Sequence, residues 1–312
     1  MLTVGIVLSA GGMPGDPWHS GVLASVQQHT GFDARNASLI VGTSAGSITA
    51  VALRAGSSAI DRWCHHVDKP MSEEGEEILA RIRTPWSETV EARQYTPASP
   101  RMSVTSMWPP WQFDPVRFAV GALPRGQRSA ASLSTRISEL HPANWTEHPT
   151  WVVTVRADDG RRVVFGRDDV AASIGDAVQA SCAVPTVYRP KRIGRHEYVD
   201  GGLHSSTNAD LVAPLGFDLV IVSSVMTAEE PARSWMTDPI RYWFSRKLDA
   251  EVAAIRRSGT PVMVVQPGSD ELSRLSKSDD HARKSAAEAG HDATGRTLAE
   301  AGGSGVIELL AG

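Results

Sequence analysis

A serine between two glycines constrains this chain more than any other feature. Gly42-Thr43-Ser44-Ala45-Gly46 directly follows the apolar run Leu39-Ile40-Val41. An apolar run, a small-residue turn and a helical stretch at 45–55 predict strand, tight turn and helix in that order. That context turns a common pentapeptide into a candidate nucleophile elbow. Such a turn is strained, and Gly42 and Gly46 remove the Cβ atoms that would crowd the serine. The helix amides then point at Ser44 and favour negative charge developing there. Alone the pattern is weak, because glycine near ~7% and similar serine usage give a chance match about one time in ten.

Two further segments add weight. Leu8-Ser9-Ala10-Gly11-Gly12-Met13-Pro14-Gly15 is a glycine-rich loop after the opening apolar run, and Tyr198-Val199-Asp200-Gly201-Gly202 closes another apolar stretch with a carboxylate. Backbone amides of Gly11 and Gly12, with Met13, are candidates for an oxyanion hole, each donor worth about 3 kcal/mol of barrier. Pro14 has no N–H to give. The spacing of Gly11, Gly12 and Gly15 is not Gly-x-Gly-x-x-Gly, and no Gly-Lys-Ser/Thr follows, which argues against a nucleotide. A plain strand-to-helix turn is the structural alternative for this loop.

The base for Ser44 is the open question. A three-membered triad would recruit a histidine after an acid. The histidines beyond Asp200 are His204, His281 and His291. The last two sit in a polar tail and read as solvated, and His204 lies too near Asp200 to end a late strand. Direct proton acceptance by Asp200 explains the chain better, with Gly201 and Gly202 as its support. A turn aspartate capping the next segment is the structural alternative.

The chain of 312 residues is 41% hydrophobic and 21% charged with a net charge of −4, so it can bury a sizeable core and has no electrostatic bias toward nucleic acid. Two cysteines, Cys64 and Cys182, are too few for a disulfide framework and fit a cytoplasmic protein. Neither a signal-peptide pattern nor the ~20-residue apolar run of a membrane span is present, so any membrane contact is expected at the surface.

Residues 3–8, 39–41, 151–156, 162–165, 219–225 and 262–265 read as strands, the pair 151–156 and 162–165 joined by a turn at 158–160. Helices are expected at 18–29, 45–55, over most of 57–93, at 130–140, at 174–182 before Pro185, and at 239–257. A short helix at 209–215 would be capped by Asn208, and a polar one at 279–301 would be broken at Gly290 and Gly295. The alternation of strand and helix implies parallel strands with crossover helices. Residues 94–116, rich in proline, tryptophan and methionine, exclude a regular helix. They read as a lid or lipid-contacting loop, or as a loop packed on the core. No linker marks a second domain, so residues 1–312 are expected to form a single one.

These segments resemble the patatin-like phospholipase family. The Ser44 elbow, the glycine loop and Asp200-Gly201-Gly202 match its three signature blocks in order. A fourth block, Ala180-Ser181-Cys182-Ala183-Val184-Pro185 followed by Tyr188, Pro190, Gly194 and Tyr198, leads into Asp200. The resemblance covers residues 3–225. It implies a three-layer α/β/α fold with a mostly parallel central sheet, a Ser44–Asp200 dyad without catalytic histidine, no metal or other cofactor, and hydrolysis of fatty acyl esters. One departure stands out: the family loop carries a third glycine and an Arg or Lys, whereas that basic position here falls on Pro14 or Gly15. His19 matches a family His-x-Gly and is expected to hold the loop rather than to react. The expected activity is lipid acyl ester hydrolysis. A short-chain esterase or thioesterase, or a lipid-binding regulatory protein with weak catalysis, are the alternatives, the missing cation favouring the last. Oligomeric state is not legible.

Overall fold

A computed structural model of the chain describes residues 2–90, 103, 104, 107, 118, 121, 122, 124–276, 281–300 and 303–311. Most of the 94–116 segment, including Trp108 and Trp111, lies outside the described residues.

Among the described residues ten strands form: β1 Val4–Leu8, β2 Leu39–Thr43, β3 Thr89–Val90, β4 Arg128–Ser129, β5 Thr150–Arg156, β6 Arg162–Phe165, β7 Lys191–Ile193, β8 His196–Asp200, β9 Leu219–Ser223 and β10 Val262–Val265. Eight of them make one sheet in the order β10-β9-β1-β2-β5-β8-β7, with β6 also on β5. The run from β10 to β5 is parallel, and β6, β8 and β7 join antiparallel. The first residues explain why β1 is central: five consecutive apolar or glycine positions are buried on both sides, as a doubly covered parallel strand requires.

Helices cover both faces: α1 Gly15–Thr30, α2 Ala45–Arg54, α3 Ala59–His66, α4 Glu73–Leu79, α5 Ala131–Leu140, α6 Ile174–Ser181, α7 Pro239–Arg257, α8 Ser269–Leu275, α9 Ala282–Ala299 and α10 Gly303–Ala311. The period-two alternation of strands separates two cores. Val4, Ile6, Leu8, Ile40 and Ile221 face α1, α2 and α9, and Val7, Val41, Val220 and Val222 face α7 and the 3-10 turn Ala209–Leu215. The result is three layers, α/β/α. Trp18 anchors the first core with no solvent exposure, a burial worth roughly 3 kcal/mol.

Three local expectations are corrected. Residues 282–299 form one unbroken helix, and its small residues are buried rather than solvated. A Cβ on Gly290 would lie 2.3 Å from the Trp18 carbonyl oxygen, and one on Gly21 2.0 Å from that of Ala287. Glycine therefore lets α1 and α9 touch backbone to backbone. Among the described residues of the stretch 57–93, α3 and α4 are the helices, and then β3 pairs with β4 as a separate ribbon. Asn208 does not cap the following turn: its backbone is left-handed, at φ 54°, and its side chain bonds elsewhere.

Candidate active site

Sheet topology brings the serine and the aspartate together. β6 occupies one edge of β5 from Val152 to Val155. β2 and β8 must therefore share the other edge, and they meet on it end to end. β2 runs parallel to β5 and stops with Thr43 opposite Val153; β8 runs antiparallel and stops with Asp200 opposite Thr154. The C-terminal ends of two strands thus converge on adjacent residues of a third, and Ser44 and Asp200 are the residues they deliver.

Ser44 sits at the sharp turn between β2 and α2 with φ 53° and ψ −121°, a conformation L-residues rarely adopt. The turn is held by its surroundings. The Ser44 N–H donates to Ser181 Oγ at 2.8 Å, and that hydroxyl donates to the Val153 carbonyl at 2.7 Å. One buried hydroxyl therefore fixes the elbow to β5. A Cβ on Gly46 would fall 2.2 Å from the Leu8 carbonyl oxygen, and one on Gly42 2.6 Å from Ser47 Cα. Close approach, not left-handed backbone, is why both are glycine.

Asp200 and Ser44 are each only 4% exposed. Burial pushes the Asp200 carboxyl up from 3.8 to about 6, against hydrogen bonds from the Ser44 side chain and the Gly202 N–H that favour the charged form. The Gly202 bond measures 2.7 Å. Gly201 has no room for a side chain, because its Cβ would lie 2.4 Å from the Val153 carbonyl oxygen. Asn208 ties both ends together. Its Nδ2 lies 3.2 Å from Thr43 Oγ1 and 3.4 Å from the Gly201 carbonyl, and it donates at 2.7 Å to that of Ser205. Neither Ser181 nor Asn208 stands out in the sequence as a site residue. Ser181 lies inside the fourth signature block, the one signal that could have found it.

The glycine loop lies beside this pair. A Cβ on Gly202 would fall 3.1 Å from Ala10 Cβ, and the Gly46 N–H donates to the Ser9 carbonyl at 3.2 Å. Gly11 is packed so that a Cβ would meet Val225 Cγ1 at 2.3 Å, and Gly12 is left-handed at φ 57°. Among the described residues no acceptor meets the backbone N–H of Gly11, Gly12 or Met13. The Met13 side chain is 93% exposed. His19 is fully buried and bridges the loop to the sheet: its Nε2 is 2.9 Å from the Ser9 carbonyl and its Nδ1 2.8 Å from Ser223 Oγ. Burial lowers its pKa to about 4, so the neutral ring donates from Nε2 and accepts at Nδ1.

Where the family loop has a cation, Pro14 precedes α1, and the first turn of that helix carries Asp16 instead. Burial would raise this carboxyl, yet Arg62, His66 and Thr49 hold it well below the usual carboxylate range. Thr49 Oγ1 donates to it at 2.6 Å and Arg62 pairs with it. The charge near the loop is thus supplied as a closed ion pair. Cys182 sets its thiol against Ser44 and Ser47, and burial pushes that thiol far above its ordinary range, so it stays protonated and does not compete as a nucleophile.

Among the described residues no histidine beyond Asp200 joins Ser44. His291 stacks on Trp63 at 5.0 Å and meets Gln28 Oε1 at 2.7 Å, and the His204 carbonyl accepts from Lys247 Nζ. Among the same residues there is no cluster of metal-ligating side chains and no helix long and apolar enough to cross a membrane.

Two solved structures are similar in outline. VipD from Legionella pneumophila is 15% identical, with a TM-score of 0.45 over 95% of this chain and 67% of that one. The type III effector protein ExoU is 15% identical, with a TM-score of 0.35 over 96% of this chain and 54% of that one, so the chain spans about half of ExoU. The family model for patatin-like phospholipases matches residues 6–213, which takes in the glycine loop, the Ser44 elbow and Asp200. With about two thirds of its length inside that match, the chain belongs to the patatin-like phospholipase family, a family of lipid acyl hydrolases.

Proposed function

We propose that this chain is a single-domain serine acyl hydrolase that cleaves fatty acyl esters of phospholipids or related lipids, as a phospholipase A or lysophospholipase. The observation that carries the reading is the meeting of Ser44 and a buried Asp200 across one edge of β5, beside three backbone amides that meet no acceptor among the described residues. The Asp200 carboxylate accepts the Ser44 proton as Oγ attacks the ester carbonyl carbon. The amides of Gly11, Gly12 and Met13 receive the oxyanion. Collapse of the tetrahedral intermediate breaks the C–O bond, and the proton on Asp200 passes to the leaving alcohol. Asp200 then takes a proton from water, whose oxygen attacks the acyl-enzyme; the acyl C–Oγ bond breaks, the fatty acid leaves, and the proton on Asp200 returns to Ser44 Oγ.

A carboxyl raised to about 6 is a stronger base than an ordinary aspartate and is still ionised at neutral pH. That supports a two-residue mechanism in which no imidazole is needed. Cys64 and Cys182 are unpaired, which fits work in the reducing cytoplasm.

The test is hydrolysis of p-nitrophenyl esters from acetyl to palmitoyl by the native protein and by Ser44→Ala and Asp200→Asn. Activity that rises with chain length and vanishes in both variants is expected. Full activity in Ser44→Ala would end this reading. A folded protein that neither hydrolyses any ester nor reacts with a fluorophosphonate would assign the fold to lipid binding instead.

A further inference from the structure

The start of α7 and the segment before it leave four large apolar side chains in water. Trp235, Met236, Ile240 and Trp243 are 66%, 78%, 63% and 42% exposed. Single exposed apolar residues are ordinary on a protein surface, but four within nine positions, two of them indoles, form a patch. The helix separates them from its core stripe. Ser245, Leu248, Val252 and Ile255 turn inward. Trp243 and Arg246 lie opposite that stripe, with Ile240 at its exposed edge.

The patch is tied to the candidate oxyanion loop through the segment that leaves β9. Arg241 donates from Nη1 to the carbonyls of Val225 at 2.7 Å and Thr227 at 2.9 Å, and Ser245 Oγ accepts from the Ala228 N–H at 3.0 Å. These bonds fasten the first turns of α7 to the segment leaving β9. Val225 is the residue whose Cγ1 fills the space beside Gly11. The exposed indoles are therefore carried at the same end of the sheet as the candidate oxyanion loop.

Charge completes the surface. Asp238 is held by Arg241 at 3.2 Å, Asp249 by Arg233 at 2.6 Å, and Glu230 lies 3.9 Å from Arg233. Asp238 has its own guanidinium, while Asp249 and the more exposed Glu230 share that of Arg233. Arg246 is exposed and has no carboxylate partner among the described residues, and the Lys247 ammonium lies 5.3 Å from the Trp243 ring centroid. Lys247 is engaged by the His204 carbonyl, so Arg246 is the cation that faces outward. Two indoles, a methionine and an isoleucine beside that arginine are the chemistry of an anionic membrane interface.

We propose that residues 235–247 form the membrane-docking face, seating the protein on an anionic lipid surface with the oxyanion-loop end of the sheet toward the bilayer. The choice of a bilayer as occupant rests on the lipid hydrolase reading above. The test keeps the two separable by using the full chain with Ser44→Ala, which cannot consume the vesicle. It is floated with phosphatidylcholine vesicles containing about 30% phosphatidylglycerol. Adding Trp235→Ala with Trp243→Ala, or Ile240→Glu alone, should weaken partition by about tenfold or more while circular dichroism stays native. Arg246→Glu should weaken it about fivefold on the anionic vesicles and leave pure phosphatidylcholine unaffected.

Partition that survives both the double tryptophan variant and Ile240→Glu overturns the proposal. So does a Ser44→Ala protein that does not float, or a dimer in sedimentation velocity that Ile240→Glu disperses, which would give this face to a second copy of the chain. With Ser44 intact, the surface variants should leave hydrolysis of soluble p-nitrophenyl acetate unchanged. If none of these proteins hydrolyses it while vesicle partition still follows the surface variants, the hydrolase reading fails and the docking face stands.

Discussion

Replacing Asp200 by asparagine should end turnover and stabilise the protein at once. Burial lifts this carboxyl from 3.8 to about 6. Between those values the native state holds a proton that the unfolded chain has released. The stability contributed by the neutral form is therefore complete below about pH 4 and is lost as pH climbs through 6. Above that the buried carboxylate costs about 3 kcal/mol, at about 1.36 kcal/mol for each pH unit between the two values. An amide carries no such penalty, and its oxygen can still accept from the Gly202 N–H, 2.7 Å away in the native protein. Its NH2 cannot replace the acceptor facing Ser44, which takes back roughly 1 kcal/mol. A net gain of about 2 kcal/mol at pH 8 is expected, or about 3 °C in Tm at about 2.1 cal/mol/K of unfolding entropy per residue. Urea titration of both proteins at pH 8 and pH 4 measures it. The gain should be present at pH 8 and absent at pH 4. An Asp200→Asn protein that is less stable at pH 8, or offset equally at both, would refute the raised carboxyl.

Other expectations follow from the same geometry. Ser44→Gly relieves a left-handed backbone and should be about 1 kcal/mol more stable than Ser44→Ala in urea. Ser181→Ala strands the buried Ser44 N–H and Val153 carbonyl; it should cost about 2–3 kcal/mol and lower kcat far more than it raises KM in ester hydrolysis. Asn208→Ala removes the tie between Thr43 and Gly201, and should lower kcat while moving Tm down by about 3 °C.

Much of this arrangement is legible in the sequence because glycine marks close backbone approach. Gly42, Gly46, Gly11 and Gly201 each sit where a Cβ would strike nearby chain, so their pattern records how the Ser44 elbow, β1, β5 and the segment after β9 press together. The apolar runs of β1, β2 and β9 are plain for a related reason: strands buried on both faces carry no polar alternation. What stays hidden is tertiary. Ser181 and Asn208 act through bonds to residues 137 and 165 positions away, and nothing local announces them. The alanine-rich helix at 282–299 reads as polar because small residues score as weakly apolar, yet they are what lets α1 pack backbone to backbone. β7 and β8 do not read as strands because they lie in a charged, turn-rich stretch; β8 gains its order from pairing with β5, and β7 from pairing with β8.

The central claim, that Ser44 is a nucleophile served by Asp200, is tested most directly by fluorophosphonate labelling with the adduct located by peptide mass spectrometry. Labelling should fall on Ser44 alone. Its rate should rise with pH through about 6 and then level off, the protonation of Asp200 setting the limb. It should fall by about 10²-fold or more in Asp200→Asn. An adduct on another residue, or a Ser44 rate that ignores both pH near 6 and the loss of Asp200, would contradict the account.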